Sequence, residues 1–368
     1  MPYFGEGRKR ILVVNSAPSD ADDAAGRPLS GESGAEFRNM LRGVGIHPRD
    51  DIWATHAVAC HPTKKKSPLD AVDHCRPLLL KTIQELKPTT ILTLGALAAK
   101  SVIGMEWRSG LDGGLERWMG WRIPSRRFNA WVCPLGFGVT QKRTEPQEYK
   151  IRQIQLEMAI ACSESHPWDK IPIPDEQGMV KLLHDPDEIN AYLEMAGKSK
   201  QAVAFDYETT SLKPDGASTR IFSMSLSVAG GAPVAFLVNP AIKAAMQNFL
   251  WSKTPKVAAN MKFEDRWTRK TFGKGVRNWV WDTMQAAHVL DSRDGITGLK
   301  FQAFVNFGMP DYSEEVHKYL TAPGTRALNR IDQAPTRKLL VYNGVDSYAE
   351  YHLAVWQIRQ LGAVVEGF

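Results

Sequence analysis

The sequence predicts an α/β chain of two domains, in which the first contains a doubly wound parallel sheet and the second a mixed sheet. Between residues 9 and 103, β-rich runs alternate with amphipathic helical patterns, which is typical of a parallel sheet covered by helices. Residues 151–200 then carry five basic against nine acidic side chains. Beyond them, β-rich runs at 203–205, 221–228 and 233–238 are followed by helical patterns, which favours a separate mixed sheet.

The acidic interval predicts where the two domains meet. Three prolines between residues 167 and 174 exclude a regular helix and favour an extended linker. We therefore expect the first domain over residues 1–165, the linker over residues 166–178 and the second domain over residues 179–368.

Length and composition limit the class of protein. With 368 residues, of which 43% are hydrophobic and 23% charged, the chain is long enough for two domains with their own cores. No apolar run reaches membrane length, and the first residues lack the apolar core of a signal peptide, so we expect a cytoplasmic protein with no membrane partner. The net charge of +6 suits a polyanionic partner such as a nucleic acid.

The first candidate metal-binding residues close the apolar run at 203–205. Asp206 and Glu208 are two residues apart, so on a strand they project from the same face. Such a pair also suits a solvated strand edge. Because it follows a buried run and precedes the turn-forming residues 213–216, the pair favours a place to hold a metal ion.

Two later segments add polar side chains. Residues 260–265 place Glu264 and Asp265 after a short apolar run. Tyr342 and Asp346 are four residues apart, which on a helix puts the phenol and the carboxylate on one face. Several acids and a tyrosine in a fixed order are more specific than any single short motif.

From about residue 179 onward, these motifs resemble those of the proofreading exonuclease domain of bacterial DNA polymerase I, in the branch with tyrosine in its third motif. The resemblance implies a ribonuclease H-like fold and phosphodiester hydrolysis by two divalent cations, Mg²⁺ or Mn²⁺. It implies that Asp206 bridges both ions and that Glu208 and Asp346 complete the site of one of them. Tyr342 would orient the attacking water.

The second motif departs from the family pattern, which ends in aspartate. Glu264 keeps the register, but Asp265 follows directly, so the sequence leaves open which of the two acids serves. The resemblance also implies that Asn260 holds the terminal nucleotide and that Leu212 is an apolar wedge against the last base. Asp282 matches a family position too, although a role as a helix N-cap suits it equally.

The loops of the first domain also form a set. An Ala-Pro loop follows the first strand, Gly-Arg-Pro precedes Gly-Glu-Ser-Gly, and a Cys-x-Pro follows the second strand ahead of Cys75-Arg76-Pro77. Over residues 8–160, this set resembles the uracil-DNA glycosylase superfamily, closest to its family 4 and related iron-sulfur members. The resemblance implies a glycosylase-like fold with its site at the carboxyl ends of parallel strands. An ordinary doubly wound domain is the alternative.

The positions that would excise uracil are altered in this sequence. Ser16 stands where family 4 has an acid, and Leu29 replaces the base-stacking phenylalanine. His56 stands in place of the asparagine that reads the uracil edge, and Cys133 begins the loop that carries a histidine in the family. Because a glycosylase must read its base and stabilise an oxyanion, we expect no uracil excision.

Two cysteines match iron-sulfur ligands of the glycosylase family. They are Cys60 and Cys75, but the usual N-terminal Cys-x-x-Cys pair does not precede them, and a cluster needs four thiolates. Cys133 and Cys162 are the remaining candidates, although an isolated cysteine is commonly a buried structural residue. An iron-sulfur cluster is therefore the less favoured alternative.

A basic loop lies between Cys60 and Cys75. It contains Lys64, Lys65 and Lys66. In the glycosylase family this region approaches the DNA backbone, so we expect phosphate contacts, with a solvated loop as the alternative.

These interpretations combine into a metal-dependent 3′-5′ DNA exonuclease whose glycosylase-like domain binds DNA without excising bases. The expected substrate is single-stranded DNA or a frayed 3′ end, and a separate DNA polymerase is an expected partner. The domain combination suggests a bacteriophage source and, with it, the host cytoplasm. The alternatives are a bifunctional repair enzyme, a non-enzymatic replisome subunit and an RNA exonuclease.

Overall fold

The computed structural model describes residues 3–60, 68–107, 114–136, 146–169, 176–216, 218–325 and 327–368. The chain divides into two compact units. The first comprises Met1–Ile173 together with Phe304–Pro310, and the second comprises Pro174–Ala303 together with Asp311–Phe368. Among the described residues, no helix is long and apolar enough to cross a membrane.

The first unit alternates strands and helices. Its strands are β1 (Ile11–Asn15), β2 (Ile52–His56), β3 (Thr90–Leu94), β4 (Ile123–Ser125) and β5 (Ala130–Leu135). Its helices are α1 (Asp20–Ala25), α2 (Glu32–Gly43), α3 (Pro68–Leu86), α4 (Ala96–Ile103) and α5 (Pro146–Ala161). The sheet order is β2-β1-β3-β5-β4, and all pairs are parallel except β4 with β5.

Helices cover both faces of this sheet. Phe37 of α2 and Leu156 of α5 pack with Val13 on one face. Leu12 points to the other face and is equally buried, and α4 packs against β1 and β3. The predicted parallel α/β class is confirmed, but the antiparallel edge strand β4 was not predicted, because it is only three residues long.

The second unit contains a mixed sheet. Its strands are β6 (Lys181–Leu182), β7 (Val203–Thr209), β8 (Ile221–Val228), β9 (Val234–Leu237), β10 (Lys256–Ala258) and β11 (Trp279–Asp282). The helices are α6 (Glu176–Met179), α7 (Pro186–Gly197), α8 (Lys243–Trp251), α9 (Met261–Phe272), α10 (Thr283–Leu290), α11 (Leu299–Phe307, which begins in this unit), α12 (His317–Leu320) and α13 (Thr336–Leu361). The order is β11-β10-β7-β8-β9-β6, and β8 is antiparallel to β7 and β9. This confirms the predicted mixed sheet.

Helices pack on both faces of the central strand β7 in the second unit. Phe205 and Tyr207 point to one face, where they pack against α8 and α9. Ala204 points to the opposite face and packs against α13. Because side chains alternate along a strand, Asp206 and Glu208 lie on the face that α13 covers.

The long helix α13 lies very close to Val180 at one of its residues, Gly344. A Cβ on Gly344 would lie only 2.3 Å from Cγ1 of Val180. A residue without a side chain is therefore required, at a cost of roughly 0.5–1 kcal/mol for glycine inside a helix. Tyr342 and Asp346 flank Gly344 and point away from this contact, since two residues correspond to about half a helical turn.

Lys256, at the start of β10, is fully buried. Its Nζ donates to the backbone oxygens of Ser252, Thr254 and Arg277 at 3.2, 2.9 and 3.2 Å. The pKa of Lys256 is lowered from 10.5 to about 7. Burial is the main cause, and the charge of Arg277 is the second.

We expect Lys256 to make the stability of the protein rise with pH between its folded and unfolded pKa values, about 7 and 10.5. In that window the unfolded chain binds a proton at Lys256 that the folded chain does not bind, so the folded state becomes more stable as the pH rises. This contribution to the free energy of unfolding is complete above pH 10.5 and is lost as the pH falls to 7. The slope is at most about 1.4 kcal/mol per pH unit. Urea unfolding at several pH values in this window should show a steeper rise of stability with pH in the wild type than in Lys256→Met. Parallel pH profiles for the two proteins would contradict it.

Candidate metal centre

Three carboxylates from two distant segments meet beside β7. Asp206 and Glu208 come from β7, and Asp346 comes from α13. One oxygen of each lies within 4.8 Å of an oxygen of each of the others. Among the described residues, no other group of three or more Asp, Glu, His or Cys side chains meets this condition. Carboxylate oxygens at this spacing suit Mg²⁺ or Mn²⁺.

Asn343 joins α13 to the strands. Its Nδ2 donates to Oδ2 of Asp206 at 2.7 Å, and its Oδ1 accepts from the hydroxyl of Ser223 at 2.9 Å. The hydroxyl of Ser225 donates to the Asn343 carbonyl at 2.6 Å. Asn343, Ser223 and Ser225 are all fully buried. Through Asn343, these hydrogen bonds fix the orientation of the Asp206 carboxylate.

Lys300 and Tyr312 contact the helix side of the site. Nζ of Lys300 donates to the hydroxyl of Tyr342 at 2.7 Å and lies 3.4 Å from Oδ1 of Asp346. The hydroxyl of Tyr312 donates to the same Asp346 oxygen at 2.5 Å. The ammonium also lies over both rings, 4.6 Å from the centroid of Tyr342 and 5.4 Å from that of Tyr312. One cation thus touches two of the predicted site residues.

The carboxylates change one another's proton affinity. Burial, followed by the charge of Asp346, raises the pKa of Asp206 well above its ordinary value. The pKa of Glu208 is raised in the same way, by burial and then by Asp206 and Asp346. Burial lowers the pKa of Lys300, but the charges of Asp346, Glu208 and Asp206 outweigh it and raise that pKa overall. Lys300 is therefore an ammonium at neutral pH, and the raised pKa values mean that Asp206 and Glu208 keep their protons to higher pH than isolated acids do.

The structure distinguishes Glu264 from Asp265. Asp265 accepts from Nε of Arg269 at 2.6 Å and from the N–H of Val276 at 2.8 Å, so both of its oxygens are engaged away from the metal centre. Glu264 is buried, and its Oε2 has no hydrogen-bond partner within the described part of the chain. Burial and then the charge of Asp206 raise the pKa of Glu264 well above its ordinary value. Of the two acids, Glu264 is therefore the one whose proton affinity the charge of Asp206 changes.

Glu350 is a further acid near the centre, which the sequence analysis missed. It lies one helical turn beyond Asp346 and is fully buried. Its Oε1 accepts from the N–H of Ala259 at 3.0 Å, and among the described residues its Oε2 has no partner. Burial, then the charges of Asp206 and Glu264, raise its pKa well above the ordinary value. The spacing of four from Asp346 was the signal that could have found it.

The remaining predicted residues of the second unit have defined surroundings. Asn260 has a left-handed backbone with φ of 68°, and its N–H donates to Asp282 at 3.0 Å. The N–H of Met261 donates to the other Asp282 oxygen at 3.1 Å, and Asp282 also caps α10. The N-cap interpretation of Asp282 is thus confirmed. Leu212 follows β7 and is 59% exposed, so it presents an apolar side chain to solvent.

In the first unit, the substituted glycosylase positions are engaged by the protein itself. The hydroxyl of Ser16 donates to the Leu94 carbonyl at 3.0 Å. Nε2 of His56 lies 3.5 Å from Oδ2 of Asp22, and burial lowers the pKa of His56 below its ordinary value, so the ring is neutral at pH 7. Cys133 is buried, and burial raises the pKa of its thiol well above the ordinary value. These side chains supply neither a carboxylate nor a cation.

The four cysteines have different surroundings. Cys133 contacts Cys162, whereas Cys75 accepts from the N–H of Ala59 at 3.4 Å and Cys60 is exposed. The iron-sulfur cluster stays the less favoured prediction from the sequence.

Lys64, Lys65 and Lys66 lie outside the described residues. Their contact with phosphate stays a prediction from the sequence.

Comparison with known families separates the two halves of the chain. Residues 1–152 match the uracil DNA glycosylase superfamily, and residues 180–356 match a 3′-5′ exonuclease family. The type-4 uracil-DNA glycosylase of Pyrobaculum aerophilum is 33% identical over 29% of this chain and 55% of its own length. The DNA polymerase of Bacillus phage SP01 is 23% identical over 79% of this chain and 34% of its own length. The chain thus spans about half of that glycosylase and a third of that polymerase.

Two solved structures show weaker similarity. Brucella melitensis NrnC is 17% identical, with a TM-score of 0.34 over 50% of this chain and 80% of its own. The RNase D of Trypanosoma brucei in complex with GMP is 12% identical, with a TM-score of 0.40 over 50% of this chain and 58% of its own. Similarity at this level says nothing about the substrate.

The two family matches, the mixed sheet with its carboxylate group and the parallel sheet with its altered loops lead to one conclusion. The chain carries a domain of the uracil-DNA glycosylase superfamily followed by a 3′-5′ exonuclease domain of the DNA polymerase I type.

Proposed function

We propose that this protein is a metal-dependent 3′-5′ DNA exonuclease that removes nucleotides from single-stranded or frayed 3′ ends, with a role in proofreading or DNA repair. The observation that carries the proposal is the carboxylate group of Asp206, Glu208 and Asp346, with its oxygens within 4.8 Å of one another. Tyr342 lies one helical turn from Asp346, on the same face of α13.

The proposed chemistry is phosphodiester hydrolysis. Two divalent cations, when bound, generate a hydroxide and stabilise the leaving 3′ oxygen. Asp206 would hold both ions, Glu208 and Asp346 would hold one of them, and Glu264 would act on the second through water. The hydroxyl of Tyr342 would hold the attacking water in line with the phosphorus. Release of a nucleoside 5′-monophosphate leaves a new 3′ hydroxyl for the next cycle.

DNA is favoured over RNA by the first unit. The carboxylates alone do not choose the sugar, but the match of residues 1–152 is to a superfamily named for uracil in DNA. The phage relative that spans both halves of the chain is a DNA polymerase. On the same ground, a DNA polymerase is the proposed partner.

The first unit is proposed to bind DNA without excising bases. The hydroxyl of Ser16 is bound to a backbone carbonyl, and His56 is buried beside Asp22. A glycosylase needs a group that activates water or stabilises an oxyanion. His56 and Cys133 are only 5% and 1% exposed, which restricts their contact with a flipped base or an attacking water.

We expect Asp206→Ala to abolish stepwise shortening from the 3′ end, by about 10³-fold or more, because loss of a ligand shared by both ions removes several kcal/mol of transition-state stabilisation. Tyr342→Phe, which misplaces the water, should cost less, about 10²-fold. The assay uses 5′-labelled DNA and RNA strands with Mg²⁺ or with EDTA. Asp215→Ala is the matched control, because Asp215 is an exposed acid paired with Arg266 at 2.8 Å. If folded Asp206→Ala protein digests DNA fully, the assignment of Asp206 as a metal ligand is wrong. If the wild type digests RNA faster than DNA, the proposed preference for DNA is wrong.

Metal binding should release protons. Because the pKa values of Asp206 and Glu208 are raised, both acids hold protons to higher pH than isolated acids, and a divalent cation must displace them. The apparent affinity for Mn²⁺ should therefore rise with pH across the range in which these acids titrate. Calorimetric titration in buffers of different ionisation enthalpy measures the released protons. Asp206→Ala should release fewer, and a pH-independent affinity in the wild type would contradict the prediction.

Uracil-containing DNA, treated with the protein and then with alkali, should show no strand break at the uracil. The physical reason is that the side chains at the substituted positions, Ser16, His56 and Cys133, offer neither a carboxylate nor a cation at neutral pH. The measurement is made in the Asp206→Ala background, so that exonuclease digestion does not obscure the products. Alkali-labile sites at uracil would instead support a bifunctional repair enzyme.

A further inference from the structure

Lys300 has no role in the function proposed so far, although it is the cation that faces the carboxylate group. It stands near the start of α11, distant in sequence from all three motifs. Its side chain is 29% exposed, whereas that of its partner Asp346 is only 5% exposed. The side chain of Lys300 therefore contacts the buried carboxylate and is itself partly exposed.

The hydrogen-bond roles at Lys300 follow from its chemistry. An ammonium has three N–H donors and no acceptor. In its bond to Tyr342, at 2.7 Å, the phenolic oxygen must therefore be the acceptor. The hydrogen of the Tyr342 hydroxyl has no acceptor within the described ranges, and it is turned away from Lys300 because the ammonium occupies the other side of the oxygen.

Asp346 is restrained in a similar way. Its Oδ1 accepts from the hydroxyl of Tyr312 at 2.5 Å and lies 3.4 Å from Nζ of Lys300. Two donors on one oxygen hold the carboxylate in a single orientation and leave its other oxygen as a ligand atom. Lys300 thus contacts both the residue that would orient the water and a residue that would hold a metal ion.

We propose that Lys300 is a positioning residue of the exonuclease site, which turns the Tyr342 hydroxyl into a donor toward the attacking water and fixes the ligand oxygen of Asp346. This inference rests on the proposed function. It assigns Tyr342 the role of a hydrogen-bond donor and not of a proton acceptor. The third N–H of Lys300 has no acceptor in the described part of the chain and is available to an oxygen of the substrate phosphate.

The role of Lys300 can be separated from a structural one by a double-mutant cycle with Tyr342. Lys300→Met removes the donor and the charge but keeps the length of the side chain. The maximal single-turnover rate on 5′-labelled single-stranded DNA should fall about 10–100-fold, whereas the DNA concentration for half-maximal rate changes less than about threefold. In the Tyr342→Phe background, where the hydroxyl to be oriented is absent, Lys300→Met should cost less than about threefold.

Lys300→Arg keeps the charge and the donors, so its rate should lie between those of the wild type and Lys300→Met. Lys318→Met is the matched control, because the ammonium of Lys318 also lies over a tyrosine ring, 4.9 Å from the centroid of Tyr319, but on an exposed residue outside the carboxylate group. It should digest DNA at the wild-type rate. Circular dichroism and thermal melting establish that each variant folds, and Lys300→Gln replaces Lys300→Met if the latter does not.

Each outcome decides between the proposals. A wild-type protein that shortens neither DNA nor RNA with Mg²⁺ or Mn²⁺ overturns the proposed function and this inference with it. An active wild type with the same fold-loss for Lys300→Met in both backgrounds overturns the inference alone, because Lys300 would then act independently of the Tyr342 hydroxyl. A wild-type rate for Lys300→Met does the same.

Discussion

The metal centre of the second unit depends on one constraint, the electrostatic repulsion among its three carboxylates beside β7. Asp206, Glu208 and Asp346 bring like charges within 4.8 Å of one another in a partly buried space, which is unfavourable unless the charge is offset. The fold offsets it with the amide of Asn343, which donates to Asp206, and with the ammonium of Lys300, which lies beside Asp346.

The two units relate to their families differently. The second has Glu264 at the second motif, where the family pattern has aspartate, and burial followed by the charge of Asp206 raises the pKa of this buried acid. The first has the parallel sheet, but His56 at the end of β2 lies against Asp22. Packing and catalysis constrain different residues, so a shared fold does not imply a shared chemistry.

Local patterns predicted the fold class and the main carboxylates. Period-two spacing placed Asp206 and Glu208 on one face, and helical spacing placed Tyr342 beside Asp346, because these relations depend only on the backbone of one element. Lys300 and Tyr312 could not be found in this way. They belong to segments that reach the site through tertiary packing, and a single lysine or tyrosine carries no pattern of its own. The choice between Glu264 and Asp265 also needed the structure, since adjacent helical residues point about 100° apart.

The close approach at Gly344 shows how the site depends on atoms that never touch a substrate. Tyr342 and Asp346 lie on one side of α13, and the distance of that side from β7 is set by what the opposite side can approach. At Gly344 the helix backbone comes so near to Val180 that a single methyl group would clash with the valine side chain. The distance from α13 at which Tyr342 and Asp346 can meet a phosphate therefore depends on the absence of a side chain at Gly344.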